Sequence, residues 1–187
     1  MDDRAEIRSL FLRLPLEDCL SMMALSLWST GPLTSPDVLI SPTTVPPDTL
    51  ALWDNCILAG DHYFALFLWS GKSTQDDRYD EVRDFMKDFL LQRSQNRFPM
   101  PTLHVLSEND SMSRRFTALL APSHGDPVEH QLANFPALGS LSPDELTQLQ
   151  SKFKFYDPET DASFRSWFWR VASLTSPCKD DGVSLCD

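Results

Sequence analysis

Residues Tyr63 to Trp69 form an unbroken apolar run of seven, Tyr-Phe-Ala-Leu-Phe-Leu-Trp. A strand wetted on one face alternates polar with apolar side chains, whereas a continuous run needs cover on both faces. With His62 in front of it, the segment His62 to Trp69 reads as the central strand of a sheet that carries other elements on each side. Ser73 to Arg93 follows within four residues and has the opposite character. Its Tyr79, Val82, Phe85, Met86, Phe89 and Leu90 make one apolar stripe on an otherwise charged surface, the pattern of an amphipathic helix. Ser73 or Thr74 caps this helix, and Asp76 and Asp77 suit its first turn. The 187 residues suffice for one domain, which at this size buries roughly 70% of the surface its unfolded chain exposes. With 12 Phe, 5 Trp and 42% hydrophobic residues, the chain has ample material for a core without a disulfide or metal staple.

The remaining elements arrange themselves around that strand. Arg4 to Leu14 places Ile7, Leu10, Phe11 and Leu14 on one helical face until Pro15 interrupts it. Leu16 to Met23 is a second short helix and Ala24 to Trp28 a strand. Gly31 to Pro47 contains five prolines and reads as loop, with Val38-Leu39-Ile40 at most a short edge strand. Thr49 to Asp54 reads as a strand, and Gly60-Asp61 as the turn of a hairpin into the central strand. Arg97-Phe98-Pro99-Met100-Pro101 excludes helix. Thr102 to Leu106 is a strand, Ser107 to Ser111 a polar loop, and Met112 to Leu120 a short helix stopped before Pro122. Ser123 to Ser140 is irregular. Ser142-Pro143-Asp144-Glu145 opens a helix with a capping box, and Leu146, Leu149 and Phe153 give it an apolar edge. Asp157-Pro158 ends it. Phe164, Trp167, Phe168 and Val171 form a last helical face, and a polar tail follows. The expected class is α+β, a mixed sheet of about five strands packed between helices with an N-terminal helical appendage. The expected divisions are 1–23, the end of a helical domain, 24–174, the α+β domain, and 175–187, a disordered tail.

Charge removes several functions. Sixteen Lys+Arg against 27 Asp+Glu give a formal net charge of −11. Phosphate backbones need a basic face, so no nucleic-acid partner is expected. Anionic lipid repels such a chain, and a run of seven apolar residues is too short to cross a bilayer. The opening Met1-Asp2-Asp3-Arg4-Ala5-Glu6 has no basic or apolar signal region. Cys19, Cys56, Cys178 and Cys186 form no Cys-x-x-Cys pair. Cys19 and Cys56 lie among apolar residues and read as buried thiols of a reducing, cytosolic compartment.

Three patterns invite a chemical reading. Ser70-Gly71-Lys72-Ser73-Thr74 joins a strand to a helix, as a phosphate-binding loop does. That loop needs a second glycine five residues earlier, and Leu66 stands there, so a strand-to-helix turn with a positive-φ glycine is the better account. His62, His104, His124 and His130 have no metal-ligand or nucleophile-elbow spacing. Asp157, Glu159 and Asp161 lack the calcium-loop pattern. Arg114-Arg115-Phe116 is different. Two arginines open a short helix in an acidic chain. They serve either as surface charge, paired with Glu108 or Asp110, or as guanidinium groups reaching a partner's phosphate.

The order of these motifs resembles the C-terminal part of the inner-layer, GTPase-activating subunit of the COPII vesicle coat, over about Leu14 to Ala121. The carrying residues are Asp37-Val38-Leu39-Ile40, Leu50-Ala51-Leu52-Trp53-Asp54, the strand Tyr63 to Trp69 with Gly71, and the acidic helix. Arg97-Phe98-Pro99-Met100-Pro101, the most specific string, follows, and then Arg115-Phe116 and Pro122-Ser123. The resemblance implies a gelsolin-like fold, with the N-terminal helices as the last piece of a preceding helical domain. It implies that Arg115, with Arg114 as the fallback, enters the active site of the small GTPase that recruits the coat to endoplasmic-reticulum membranes. An arginine finger contributes about 10³ to 10⁵ in rate. The protein would then be a GTPase activator and not itself a hydrolase. It would act peripherally in the cytoplasm at endoplasmic-reticulum exit sites and on COPII vesicles, in transport to the Golgi, with the small GTPase and the cargo-adaptor coat subunit as partners.

Three departures stand out, one of them that the segment from His124 to Asp161 is longer than the resemblance implies. The family's Gly-Gly-Ser-Gln-Ala run is replaced by Asn109-Asp110-Ser111-Met112-Ser113. The family's zinc finger, trunk and β-sandwich have no counterpart in these residues, so no cofactor is expected in this segment and weak activation is expected of the chain alone. A gelsolin-like binding module without GTPase activation is the alternative, and a nucleotide-binding enzyme around Gly71-Lys72-Ser73 a third.

Overall fold

The computed structural model describes residues 3–36, 40–123 and 126–151, with the side chains of 3–6 excepted. Two helices lead, α1 (Asp3–Phe11) and α2 (Leu16–Met23). Strands β1 (Ser26–Ser29), β2 (Thr43–Val45), β3 (Ile57–His62) and β4 (Ala65–Ser70) follow, then α3 (Asp80–Ser94) and β5 (Thr102–Ser107). Three further helices complete the described chain: α4 (Ser113–Thr117), α5 (Val128–Asn134) and α6 (Pro143–Ser151). The sheet runs β2-β1-β3-β4-β5; all neighbours are antiparallel except β4 and β5, which are parallel. A parallel pair needs a crossover, and α3 supplies it. The expected mixed five-stranded sheet between helices is thus what the chain forms.

The central strand explains its own composition. Leu66 and Leu68 face α3 and pack with Val82, Met86 and Leu90. Phe67 and Trp69 face the other way, against Phe116, Leu120, Phe135, Leu138 and Leu149. Both faces are covered, so no polar residue interrupts the run. Each such side chain, fully buried, contributes about 1.5–3 kcal/mol. Of the apolar stripe on α3, Phe85 departs and is 46% exposed. Phe89 instead meets Trp28 edge-on at 5.4 Å, and the Arg93 guanidinium lies 4.5 Å over the Trp28 ring.

Several boundaries differ from expectation. Thr49 to Asp54 is not a strand. Thr49–Ala51 is a 3-10 turn whose start is fixed by Asp48, the carboxylate accepting from Leu50 N at 2.8 Å. Gly60-Asp61 is not a turn but lies inside β3, which pairs with β4 over Ile57–His62. The reversal falls at Tyr63-Phe64, with Tyr63 in the left-handed region at φ 51°. The Asp61 carboxylate accepts from Tyr63 N at 3.0 Å and supports that conformation. The stretch read as loop from Gly31 to Pro47 contains β2, paired with β1. The helix expected from Ser73 begins at Asp80, after two 3-10 turns at Lys72–Thr74 and Asp77–Tyr79. The irregular span 123–140 contains α5 and a 3-10 turn at Pro136–Ser140. The capping box at Ser142 and Glu145 forms as expected: Glu145 N donates to Ser142 Oγ at 3.3 Å, and Ser142 N donates to Glu145 Oε2 at 2.8 Å. The face at Phe164 to Val171 and the tail lie outside the described residues, as do Cys178, Cys186, Asp157, Glu159 and Asp161.

Candidate functional site

The segment from Ser107 to Ala121 carries Arg114 and Arg115, and it is tied to the sheet at both ends. At the start, Glu108 N donates to Ser70 O at 3.0 Å. The chain then folds on itself: Asp110 N donates to Ser107 O, Met112 N to Asp110 Oδ1, and Ser113 N to Asp110 O, all between 2.9 and 3.0 Å. Ser113, 5% exposed, closes the loop by donating its hydroxyl to Ser107 O at 2.5 Å. Short polar side chains that bond nearby backbone are what such a turn requires. The Asn-Asp-Ser-Met-Ser sequence therefore holds its path by hydrogen bonding. At the far end, Ala121 N donates to Pro47 O, and Thr49 N donates to Ala121 O, both at 2.9 Å.

Phe116 anchors the helix between these ties. It is fully buried, with its ring 5.5 Å from Phe67, and Phe67 in turn stacks on His104 at 5.3 Å. Gly60 in β3 makes the space. A Cβ there would lie 3.0 Å from the Phe116 ring. With Ser113 and Phe116 turned inward, Arg114 and Arg115 are left exposed on the outer side of α4. The ion pairs of the described residues use Arg78, Arg83 and Arg97, and neither Arg114 nor Arg115. The pairing with Glu108 or Asp110 weighed above is not formed. Glu108 instead accepts from Lys72 N at 2.8 Å.

The loop at Gly71 is closed to phosphate. Gly71 N donates to Cys56 O, Ser73 N to Asp54 O and Thr74 N to Gly71 O, and Lys72 N is held by Glu108. A phosphate cradle needs such amides free. The glycine is required, but not for positive φ, since its φ is −65°. A Cβ at Gly71 would lie 2.4 Å from both Trp53 O and Asp54 O, so close backbone approach excludes any side chain.

Arg97, the first residue of the proline-rich string, points inward. Its Nη1 and Nη2 bond Asp61 Oδ1 and Oδ2 at 2.6 and 2.8 Å, a bidentate pair with side chains 10% and 1% exposed. Its Nε lies 3.9 Å from Asp18 on α2, and its guanidinium sits 5.2 Å from the Tyr63 ring centre. The hydrogen bond to Asp61, more than any other influence, holds the guanidinium in its charged form. The arginine thereby joins the β3–β4 turn to the N-terminal helices. Sequence reasoning missed this pair. The signal was an aspartate inside an apolar strand, which needs a buried cation. Phe98 and Met100, by contrast, are 81% and 82% exposed. Cys19 and Cys56 are buried thiols as expected, and burial pushes Cys56 up to about 12. Among the described residues no group of three or more His, Cys, Asp or Glu could hold a metal ion. No described helix is long and apolar enough to cross a membrane.

A central β-run covered on both faces, with a crossover helix on one side and short helices on the other, defines an α+β domain built on a mixed five-stranded sheet. In sequence, the chain is divergently similar to a Sec23 protein of the COPII coat. It is 27% identical over 173 residues to protein transport protein SEC23 A of Arabidopsis thaliana, a match covering 89% of this chain and 18% of that protein. The chain therefore spans under a fifth of the relative's length. No family model matches the sequence. Among solved structures, human COPII-coat protein Sec24c overlaps with a TM-score of 0.46 at 19% identity, over 63% of this chain and 18% of that one. The Thorarchaeota 2DGel3 protein, solved with rabbit actin, overlaps with a TM-score of 0.41 at 12% identity, over 53% and 46% of the two chains.

Proposed function

We infer that this chain acts as a COPII-coat-like regulatory component in transport from the endoplasmic reticulum to the Golgi, peripheral and cytoplasmic, and that Arg115 serves as an arginine finger for the coat-recruiting small GTPase. The observation that carries the reading is the state of Arg115 itself. It is exposed, outside every ion pair of the described residues, and mounted on a helix fastened at both ends. A finger must hold its guanidinium where charge develops on the transferring phosphoryl group, so a fixed mount lowers the ordering cost. Arg114 shares the exposure and is the fallback. The cargo-adaptor coat subunit is the second expected partner. The chain regulates a hydrolase and does no hydrolysis of its own.

Single-turnover GTP hydrolysis by the small GTPase, with this chain in large excess, tests the assignment. Wild type accelerates the reaction, Arg115→Ala loses the acceleration, and Arg114→Ala retains most of it. Equal rates with wild type and Arg115→Ala would remove the finger. A second reading, a gelsolin-like binding module without GTPase activation, draws support from the hydrogen-bonded turn at 107–113, which limits how far α4 can reach. Binding to the GTPase that ignores its nucleotide, with no gain in hydrolysis, would favour it.

A further inference from the structure

On the side of the molecule where α6 faces the 53–55 turn lies an open cleft of about 440 Å³. Trp53, Asp54 and Asn55 line one wall; Leu141, Glu145 and Leu149 line the other. Its lining includes two carboxylates and no lysine, arginine or histidine. A smaller pocket of about 110 Å³ adjoins it, and Pro32 and Trp53 belong to both. This second space is lined mainly by apolar groups, among them Val45, Ala51, Cys56 and Phe135.

The side chains available in the cleft narrow what it can hold. The Trp53 indole N–H is already committed to Leu50 O at 2.7 Å, so this half-buried residue offers its ring and no donor. An aromatic face beside carboxylates attracts a cation. Glu145 holds its charge: the Ser142 backbone N–H, and then the Ser142 hydroxyl, keep its carboxyl below the ordinary range. Both of those bonds fall on Oε2, at 2.8 Å. The adjoining pocket, about 110 Å³, is small and lined mainly by apolar groups. It contains no charged residue, so it suits an aliphatic group. A cationic site and an aliphatic site that share one tryptophan wall match two neighbouring side chains of one bound peptide.

The geometry points to a peptide-docking groove at Trp53, Asp54 and Glu145 that takes a segment of a partner protein presenting an arginine or lysine next to an aliphatic residue. The cation lies against Trp53 between the two carboxylates, and the aliphatic side chain fills the pocket behind Pro32. None of its lining residues belongs to the 107–121 segment that carries Arg115.

Fluorescence anisotropy of labelled acetyl-Arg-Leu-Arg-Leu-amide on the full chain provides the test, with acetyl-Glu-Leu-Glu-Leu-amide and acetyl-Arg-Gly-Arg-Gly-amide as comparisons. The first peptide binds and the other two bind at least several-fold more weakly. The Asp54→Asn/Glu145→Gln double variant binds about ten-fold more weakly, as expected for two partly solvated charges, and added salt weakens wild type more than the variant. Gln at position 145 still completes a capping box, so the unfolding midpoint reports whether the fold is kept. In NMR titrations the Trp53 indole resonance moves on binding. Equal affinity of wild type and the double variant, equal binding of the acidic peptide, no binding of the first peptide, or a Trp53 resonance that does not move would each overturn the proposal.

Discussion

Replacing Arg97 by methionine removes the cation from a carboxylate that water hardly reaches. Asp61 is 1% exposed, and its two short bonds to Arg97 are joined only by the Tyr63 N–H among the bonds described. A surface ion pair is worth about 0–1 kcal/mol. A buried pair that loses one partner costs about 3–5 kcal/mol, because the remaining charge stays dry. The geometry places this pair in the second class, so Arg97→Met lowers stability by about 3–5 kcal/mol, or roughly 6–20 °C in Tm for a chain of this size. The Asp61→Asn/Arg97→Met double variant, which leaves no buried charge, recovers a large part of that loss. Urea unfolding followed by tryptophan fluorescence measures all three proteins, and the double-mutant cycle isolates the coupling. A loss below about 1 kcal/mol in Arg97→Met, or a double variant that simply adds the two single losses, refutes the reasoning.

Other perturbations separate the roles of single residues. Gly71→Ala forces a methyl group against two carbonyl oxygens at 2.4 Å and lowers stability by about 1–3 kcal/mol; a urea midpoint equal to wild type would show that the turn yields freely. Titration of wild type with GTP or ATP releases no heat, since the amides of residues 71–74 are committed within the chain; measurable heat would reopen the nucleotide-binding reading. Phe116→Ala empties a fully buried site and costs about 3–5 kcal/mol; thermal melts that place the loss near zero would mean that α4 is not anchored there. Cys56 supplies a pH test. Burial raises its folded value from 9.0 to about 12, so its contribution to stability is complete below pH 9 and is lost as pH rises from 9 to 12. At pH 10 wild type has lost on the order of 1 kcal/mol from this group, and Cys56→Ala has not. Urea midpoints that fall in parallel for the two proteins between pH 7 and 10 would contradict the burial argument.

Much of the fold was legible because burial leaves a local pattern. The run at Tyr63 to Trp69 announces a strand covered twice, and the stripe at Val82, Met86 and Leu90 announces the helix that covers it. The errors have physical causes. Leu50 and Leu52 alternate with smaller residues as in a strand, yet both are buried in a turn held by Asp48 and by Ala121, some 70 residues away. Gly60-Asp61 is a common turn pair, but here Phe116 needs the missing Cβ and Arg97 needs the carboxylate, both long-range demands. Prolines concealed β2, an edge strand of three residues where lost ladder bonds cost little. Of the candidate site, the Arg114-Arg115 pair was visible as a local exception in an acidic chain. The mount that fixes it was not, because Ser113, Phe116 and Ala121 acquire their roles only from residues distant in sequence. The cleft at Trp53 and Glu145 joins two segments some 90 residues apart, so no local window contains it.

An arginine finger binds most strongly when the phosphoryl group resembles the transition state. The direct measurement is the affinity of the full chain for the small GTPase carrying GDP with aluminium fluoride, compared with GDP alone, for wild type and Arg115→Ala. With Arg115 as the finger, wild type prefers the aluminium fluoride complex, and Arg115→Ala loses this preference while its affinity for the GDP form is unchanged. The same preference in Arg115→Ala, or none in wild type, would contradict that role.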